Sequence, residues 1–134
     1  MRKFGALVLI VLFVGGCAVL PHEAPADDLD KAAALFVQRL NAAQYDVIYK
    51  DAASKFKEAQ TKETILDSLK ELTSRGKLQS FNRIQMKYEG ENKERIASPV
   101  YFVAFDQSRG DLTLSFVDES GEWKLIGFAF KQRG

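Results

Sequence analysis

The residues Asp111-Leu-Thr-Leu-Ser-Phe-Val-Asp118 alternate between polar and apolar side chains along their length. This period of two predicts a β-strand with one buried face. A short turn, Glu119-Ser-Gly121, separates it from a second run that is rich in aromatic and branched residues, Trp123-Lys-Leu-Ile-Gly-Phe-Ala-Phe-Lys131. Because so short a connection joins antiparallel neighbours, these residues predict a β-hairpin at the end of the chain.

Two further strands are predicted before this hairpin, over Gln79–Glu89 and Ser98–Gln107. A charged loop, 90–95, connects them, and Ser108-Arg109-Gly110 forms the next turn. Pro99 falls at the start of its predicted strand, where a missing backbone donor is tolerated. The four strands together predict an antiparallel meander.

The residues from Asp28 onward have helical periodicity instead. We expect three helices: a first with a buried stripe, a second short one over Tyr45–Tyr49, and a third that Thr61 caps and Arg75-Gly76 closes. The stripe of the first helix comprises Leu29, Ala33, Phe36, Leu40 and Ala43, and that of the third comprises Ile65, Leu66, Leu69 and Leu72. The sequence therefore predicts an α+β fold, with N-terminal helices packed on a four-stranded antiparallel sheet.

Two of the predicted strands are apolar on both faces. In Val100-Tyr-Phe-Val-Ala-Phe105 neither face is polar, and in the last strand Leu125 and Ala129 fall on one side while Ile126, Phe128 and Phe130 fall on the other. Since helices cover only one face of the sheet, the other face must curve on itself, line a pocket or meet another subunit. We expect a homodimer through this sheet face.

The first residues have the layout of a secretory signal peptide. A basic start, Met1-Arg2-Lys3, precedes an apolar stretch that ends in small residues at Cys17. The 17 uncharged residues at 4–20 also allow a retained membrane helix. A third interpretation is an incidental thiol beside an ordinary cleavage site.

The sequence Val14-Gly15-Gly16-Cys17 resembles the lipobox of bacterial lipoproteins. The resemblance implies that Cys17 receives a diacylglycerol, that cleavage precedes it, and that the new amino group is acylated. We therefore expect a signal peptide at 1–16, a lipidated Cys and Pro/Ala tether at 17–27, and one domain at 28–134. Because Ala18 follows Cys17, the implied location is the periplasmic face of the outer membrane, or the outer face of the plasma membrane in a Gram-positive cell.

The order of elements resembles the nuclear transport factor 2-like, or cystatin-like, superfamily. The resemblance rests on the ending Gly121-Glu-Trp-Lys-Leu-Ile-Gly-Phe-Ala-Phe130 and on Arg75-Gly76-Lys77 between the last helix and the first strand. It implies a cone between helices and a curved sheet. The superfamily contains isomerases, dehydratases, transport factors and binding modules, so the resemblance does not choose a function.

Composition excludes several classes of function. With 19 basic and 18 acidic residues, the chain has a formal charge of +1, so we expect no nucleic-acid partner. A single Cys and a single His cannot build a zinc site of Cys and His within one chain. We expect no metal and no cofactor.

The candidate catalytic residues are few. Asp106 ends an apolar strand, and Tyr101 or Tyr45 would donate a hydrogen bond to a developing oxyanion. The competing interpretation makes Asp106 a turn carboxylate that pairs with Arg109, and makes the tyrosines core aromatics. We therefore expect a membrane-anchored module that binds an envelope protein or a small apolar ligand. The alternative is a small isomerase or dehydratase that uses Asp106 and a Tyr.

Overall fold

A computed structural model describes residues 28–89 and 95–133 of the 134-residue chain. Four helices come first, and their bounds are α1 Asp28–Asn41, α2 Tyr45–Asp51, α3 Ser54–Ala59 and α4 Lys62–Thr73. Four strands follow, with bounds β1 Leu78–Glu89, β2 Ile96–Phe105, β3 Arg109–Glu119 and β4 Glu122–Gln132. The expected signal peptide, Cys17 and tether lie outside the described residues.

The helices agree with the sequence prediction in part. The hydroxyl of Thr61 accepts a hydrogen bond of 3.1 Å from the Thr64 N–H, as a capping residue does. Ala43 is not part of the first helix, because α1 ends at Asn41 and Ala43 turns the chain with φ of +58°. The prediction also missed α3, whose six residues include a single buried side chain, Phe56.

The strands form the expected meander, in the order β1-β2-β3-β4, with every pair antiparallel. The helices lie on one side of this open sheet, so the α+β fold with helices before a four-stranded antiparallel sheet is confirmed. The turn between β3 and β4 has two residues, Ser120 and Gly121, both with positive φ. Two positive φ values in a two-residue hairpin match the right-handed twist of the strands.

The core lies between the helices and the sheet. Full burial of one aliphatic or aromatic side chain contributes about 1.5–3 kcal/mol, so this layer supplies most of the favourable free energy of folding. The buried side chains of this layer include Leu29, Phe36, Leu40, Ile65, Leu69, Tyr101, Val103, Phe105, Leu112, Leu114 and Phe116.

A β-bulge changes the predicted faces of β4. The register passes from Ser115↔Gly127 directly to Phe116↔Leu125, so Ile126 is an extra residue. The extra residue reverses the alternation, because each residue in a strand points to the opposite face from its neighbour. Leu125 consequently shares the helix-covered face with Phe128 and Phe130, and the prediction that it shares a face with Ala129 is wrong.

Pro99 is the fourth residue of β2 and lies in the middle of the sheet, so its predicted place at the start of a strand is wrong. Between Ala97↔Phe116 and Val100↔Thr113 the β2–β3 register has a gap. The gap follows from proline's missing N–H. Beside it the hydroxyls of Ser98 and Ser115 lie 3.0 Å apart and are hydrogen-bonded.

Candidate binding site

A groove of about 250 Å³ opens between the first two helices and the β3–β4 hairpin. Phe36 of α1 and Ile48 of α2 form one wall, and Phe116 and Leu125 form the floor. These four side chains are at least nine-tenths buried, so their positions are fixed by the core around them. The groove is therefore a preformed apolar concavity at the seam between the helices and the sheet.

Charged pairs border the groove. The Arg39 guanidinium lies 2.7 Å from the Asp51 carboxylate, and the Lys124 ammonium lies 3.3 Å from that of Glu122. Arg39 is the more enclosed partner of the first pair, with 22% of its side chain exposed against 52% for Asp51. An apolar floor with charged groups at the margin suits an amphipathic ligand, whose apolar part is buried while its polar end stays wet.

Leu35 stands at the mouth of the groove. It is 42% exposed, although its neighbours on the same helix, Phe36 and Val37, are buried. Trp123, the second residue of β4, forms the wall at the hairpin end of the groove. The Arg95 guanidinium lies 5.0 Å from the centre of the indole ring. Arg95 in turn forms a 2.9 Å ion pair with Asp118. These contacts hold the indole in place against the groove.

Asp106 lies outside the space between helices and sheet. It is exposed and follows directly after β2, where its carboxylate accepts hydrogen bonds from the Lys77 N–H, at 2.9 Å, and from the Gln79 amide. The hydrogen bond from Lys77, and next that from Gln79, lower the pKa of Asp106 below its ordinary value. These partners replace the expected pairing with Arg109. The carboxylate joins the β2–β3 turn to the start of β1.

Tyr101 is buried on the helix-covered face of β2. Its hydroxyl donates a 3.1 Å hydrogen bond to Asp30 in the first turn of α1, and Arg83 of β1 contacts the same carboxylate at 3.0 and 3.1 Å. Burial, and next the hydrogen bond to Asp30, raise the pKa of Tyr101 above its ordinary value. The hydrogen bond to Asp30 therefore joins α1 to the sheet.

Tyr45 lies elsewhere. Its hydroxyl is 2.8 Å from the Thr73 hydroxyl, which already lies 3.0 Å from the Lys70 carbonyl, so Tyr45 donates to Thr73 and links α2 to α4. No hydrogen bond of the described residues joins Asp106 to Tyr45 or Tyr101. The three candidate catalytic residues are thus at separate places, each with a structural partner.

The outer face of the sheet, opposite the helices, is partly shielded by its own side chains. Val100, Phe102 and Ala104 of β2 are half-buried there. The Arg133 guanidinium lies 5.1 Å from the centre of the Phe102 ring. It is also 2.9 Å from the Asp111 carboxylate, which is close enough for an ion pair, but the two groups are not aligned for a hydrogen bond. The expected homodimer through this face stays a prediction.

Within 28–89 and 95–133, no group of His, Cys, Asp and Glu side chains has the arrangement to hold a metal ion. Over the same residues, no helix combines the length and the apolar character needed to cross a bilayer.

The fold and the groove define a small α+β domain of helices on an antiparallel sheet. No known protein family matches the chain, and no curated protein does. Among solved structures, the chain is similar to the NMR structure of a protein from Ruminococcus gnavus ATCC 29149, with a TM-score of 0.60 and 14% identity. The likeness covers 82% of this chain and 94% of that one. At this identity the likeness shows the fold alone.

Proposed function

We propose that residues 28–133 form the binding module of a lipid-anchored envelope protein, and that the groove between α1, α2 and β4 binds a small ligand with an apolar body. The observation that carries the proposal is the groove itself, whose apolar floor is preformed and whose margin is charged. Its volume of about 250 Å³ is just below the roughly 300–1,000 Å³ of typical ligand sites. It therefore suits a compact ligand.

The proposed polar contact is with Arg39. This guanidinium is enclosed, and Asp51 is its ion-pair partner. A ligand carboxylate or carbonyl at the mouth would therefore compete with Asp51 for the same donors. The apolar part of the ligand would then lie against Phe36, Ile48 and Leu125.

The lipid anchor is the second part of the proposal. It is supported by the sequence Val14-Gly15-Gly16-Cys17 after a basic and apolar start. Two or three acyl chains on Cys17 give stable attachment, since one chain alone is marginal. The proposed location is the outer membrane facing the periplasm, or the outer face of the plasma membrane in a Gram-positive cell.

The nuclear transport factor 2-like cone is the third part. Its support is the order of helices before a meander, and a glycine with φ of +97° at Gly76 between the last helix and the first strand. Because a fold does not by itself choose a function, the proposed ligand site rests on the groove and not on the cone.

Native mass spectrometry of the membrane-extracted chain tests the groove. We expect a small molecule of defined mass to remain bound to the parent chain and to be lost in Leu35→Asp, because a carboxylate at the mouth of the groove opposes the entry of an apolar ligand. Val47→Asp is the matched control. Val47 is 37% exposed against 42% for Leu35, lies on α2 and does not line the groove, so this variant should retain the ligand.

A parent chain that carries no small molecule, or a bound mass that Leu35→Asp leaves unchanged, would contradict the groove as the binding site. The anchor is tested separately with Cys17→Ser and labelling by an alkyne analogue of palmitate. We expect label on the parent chain and none on the variant, with the variant released from the membrane fraction. Unchanged membrane attachment of Cys17→Ser would support a retained helix instead.

A further inference from the structure

The outer edge of β1 is open along most of its length. In β2, the Arg95 carbonyl accepts from Asp118 of β3 and the Phe105 N–H donates to the Ser108 carbonyl. Since backbone groups alternate in direction along a strand, the odd-numbered residues of β2 bond toward β3 and the even-numbered ones toward β1. The partners of the even-numbered residues on β1 are Ser80, Asn82, Gln85, Lys87 and Glu89.

Four of the remaining residues of β1 direct their backbone groups away from the sheet, and they are Phe81, Arg83, Met86 and Tyr88. Gln79 and Ile84 are the extra residues at the two register shifts. No described residue forms a backbone hydrogen bond with the four outward residues. Among the described residues, this edge is covered only at Leu78, because the Asn41 amide accepts from the Leu78 N–H and donates to its carbonyl, both at 2.9 Å.

The open edge also has exposed apolar side chains. Ile84 is 51% exposed and Tyr88 is 59% exposed, and Met86 lies between them. A long edge strand that presents unpaired backbone groups and apolar side chains is a template for another strand.

We propose that the edge of β1 over Ile84–Tyr88, which begins at the bulge residue Ile84, pairs with the same segment of a second copy of this chain. When the second strand runs antiparallel about a two-fold axis at Met86, Ile84 faces Tyr88 of the second copy, and Met86 faces its equivalent. At the positions between them Gln85 faces Lys87. Apolar residues therefore meet apolar residues, and no like charges are directly opposite. The pairing joins two four-stranded sheets into one of eight strands, which is within the usual size range.

The choice of a second copy over another extended segment rests on this self-complementarity. A contact about a two-fold axis needs a surface that is complementary to itself. The five residues 84–88 all pair with one another in one register, the one with Met86 on the axis. The proposed dimer does not require a ligand in the groove. Leu35 and the floor of the groove lie on the opposite side of the domain from β1, near β4.

Cysteine cross-linking in the full chain tests the register. The chain contains one Cys, at position 17, and the parent chain therefore controls for any cross-link through it. In the proposed pair the two Met86 Cα atoms are about 5.5 Å apart, within the roughly 4.4–6.8 Å that a disulfide requires. We expect Met86→Cys to move from the monomer to the dimer position on a non-reducing gel. Ser80→Cys, which is exposed on the same strand, should stay monomeric.

Val100→Cys reports on the competing homodimer through the outer sheet face. A cross-link at Val100, or none at Met86, would overturn the proposal. Met86→Pro gives an independent measurement, because it removes an outward N–H without breaking the β1–β2 ladder. Native mass spectrometry should show a dimer for the parent chain and for Leu35→Asp, and a monomer for Met86→Pro. A monomeric parent chain, or a dimer that survives Met86→Pro, would also overturn the proposal.

Discussion

The two edge strands of the sheet differ in how far the helical layer buries them. In β4, Trp123 and Leu125 are buried, and the Ala53 N–H, just before α3, donates a 2.9 Å hydrogen bond to the Leu125 carbonyl. In β1, Leu78 is the one buried residue, and the Asn41 side chain bonds to its backbone. Most other side chains of β1 are exposed.

The difference shows what burial of an edge strand needs. The bulge at Ile126 bends β4, and the Leu125 carbonyl next to it points away from β3, where the Ala53 N–H reaches it. β1 also has a bulge, at Ile84, but no helix of the described residues forms a backbone hydrogen bond with the strand there. Burial of an edge strand thus depends on the helical layer, and an exposed edge is where a further strand can be added.

Deletion of Ile126 should have the largest effect, because it removes the bulge that directs both halves of β4 to the core. Without the extra residue, either Leu125 or the pair Phe128 and Phe130 would turn to the outer face. We expect loss of most of the free energy of unfolding, which is about 5–15 kcal/mol for a domain. Urea unfolding of the Cys17→Ser chain measures it. Ile126→Val keeps the bulge and should cost only about 0.5–1.5 kcal/mol. Equal effects of the two changes would mean that the bulge does not direct both halves of β4 to the core.

Asn41→Leu should have an intermediate effect, because it removes both hydrogen bonds to Leu78 and opens the covered start of β1. Loss of two partly buried hydrogen bonds is expected to lower the free energy of unfolding by about 1–3 kcal/mol. Gln38→Leu makes a similar change at an exposed position one turn earlier on α1, and it should stay within about 0.5 kcal/mol of the parent. If the two variants are equally stable, the Asn41 amide does not protect the edge.

Asp106→Asn should have the smallest effect, and that effect should depend on pH. Because hydrogen bonding lowers the pKa of Asp106 in the folded state, its contribution to stability is present above the ordinary carboxyl pKa. The contribution is lost as the pH falls through the lowered pKa. We therefore expect the parent and the variant to differ in free energy of unfolding at pH 7 and to converge below about pH 4. Asp67→Asn, an exposed carboxyl of α4, serves as the control. A constant difference between parent and Asp106→Asn down to pH 2 would disagree with the assigned hydrogen bonds.

Much of the fold could be predicted from local patterns. The alternation of Asp111–Asp118 and the helical stripe of Leu29, Phe36 and Leu40 report which face of each element is buried, and burial dominates the folding free energy. The cap at Thr61 was predictable for the same reason, since it acts on its own neighbours in sequence. The predicted end at Arg75-Gly76 was too late, because α4 ends at Thr73 with Ser74 as its C-cap.

The candidate site could be predicted much less well. Asp106 was predicted as a catalytic candidate or a turn carboxylate, and the structure places it at the turn, with Lys77 and Gln79 as partners. Asp30, which accepts hydrogen bonds from both Tyr101 and Arg83, was not identified, because these donors are 71 and 53 residues away in sequence. The groove was also missed, since the residues that line it come from four elements.

The sequence by itself therefore determined the elements, their order and their apolar faces, because these depend on residues a few positions apart. Only the tertiary structure decided which edge strand of the sheet the helices bury, where Asp106 finds its partners, and that Ile126 reverses the faces of β4. The physical reason is that a single bulge, or one hydrogen bond between distant residues, leaves no periodic trace in the chain, although it sets which groups meet in space.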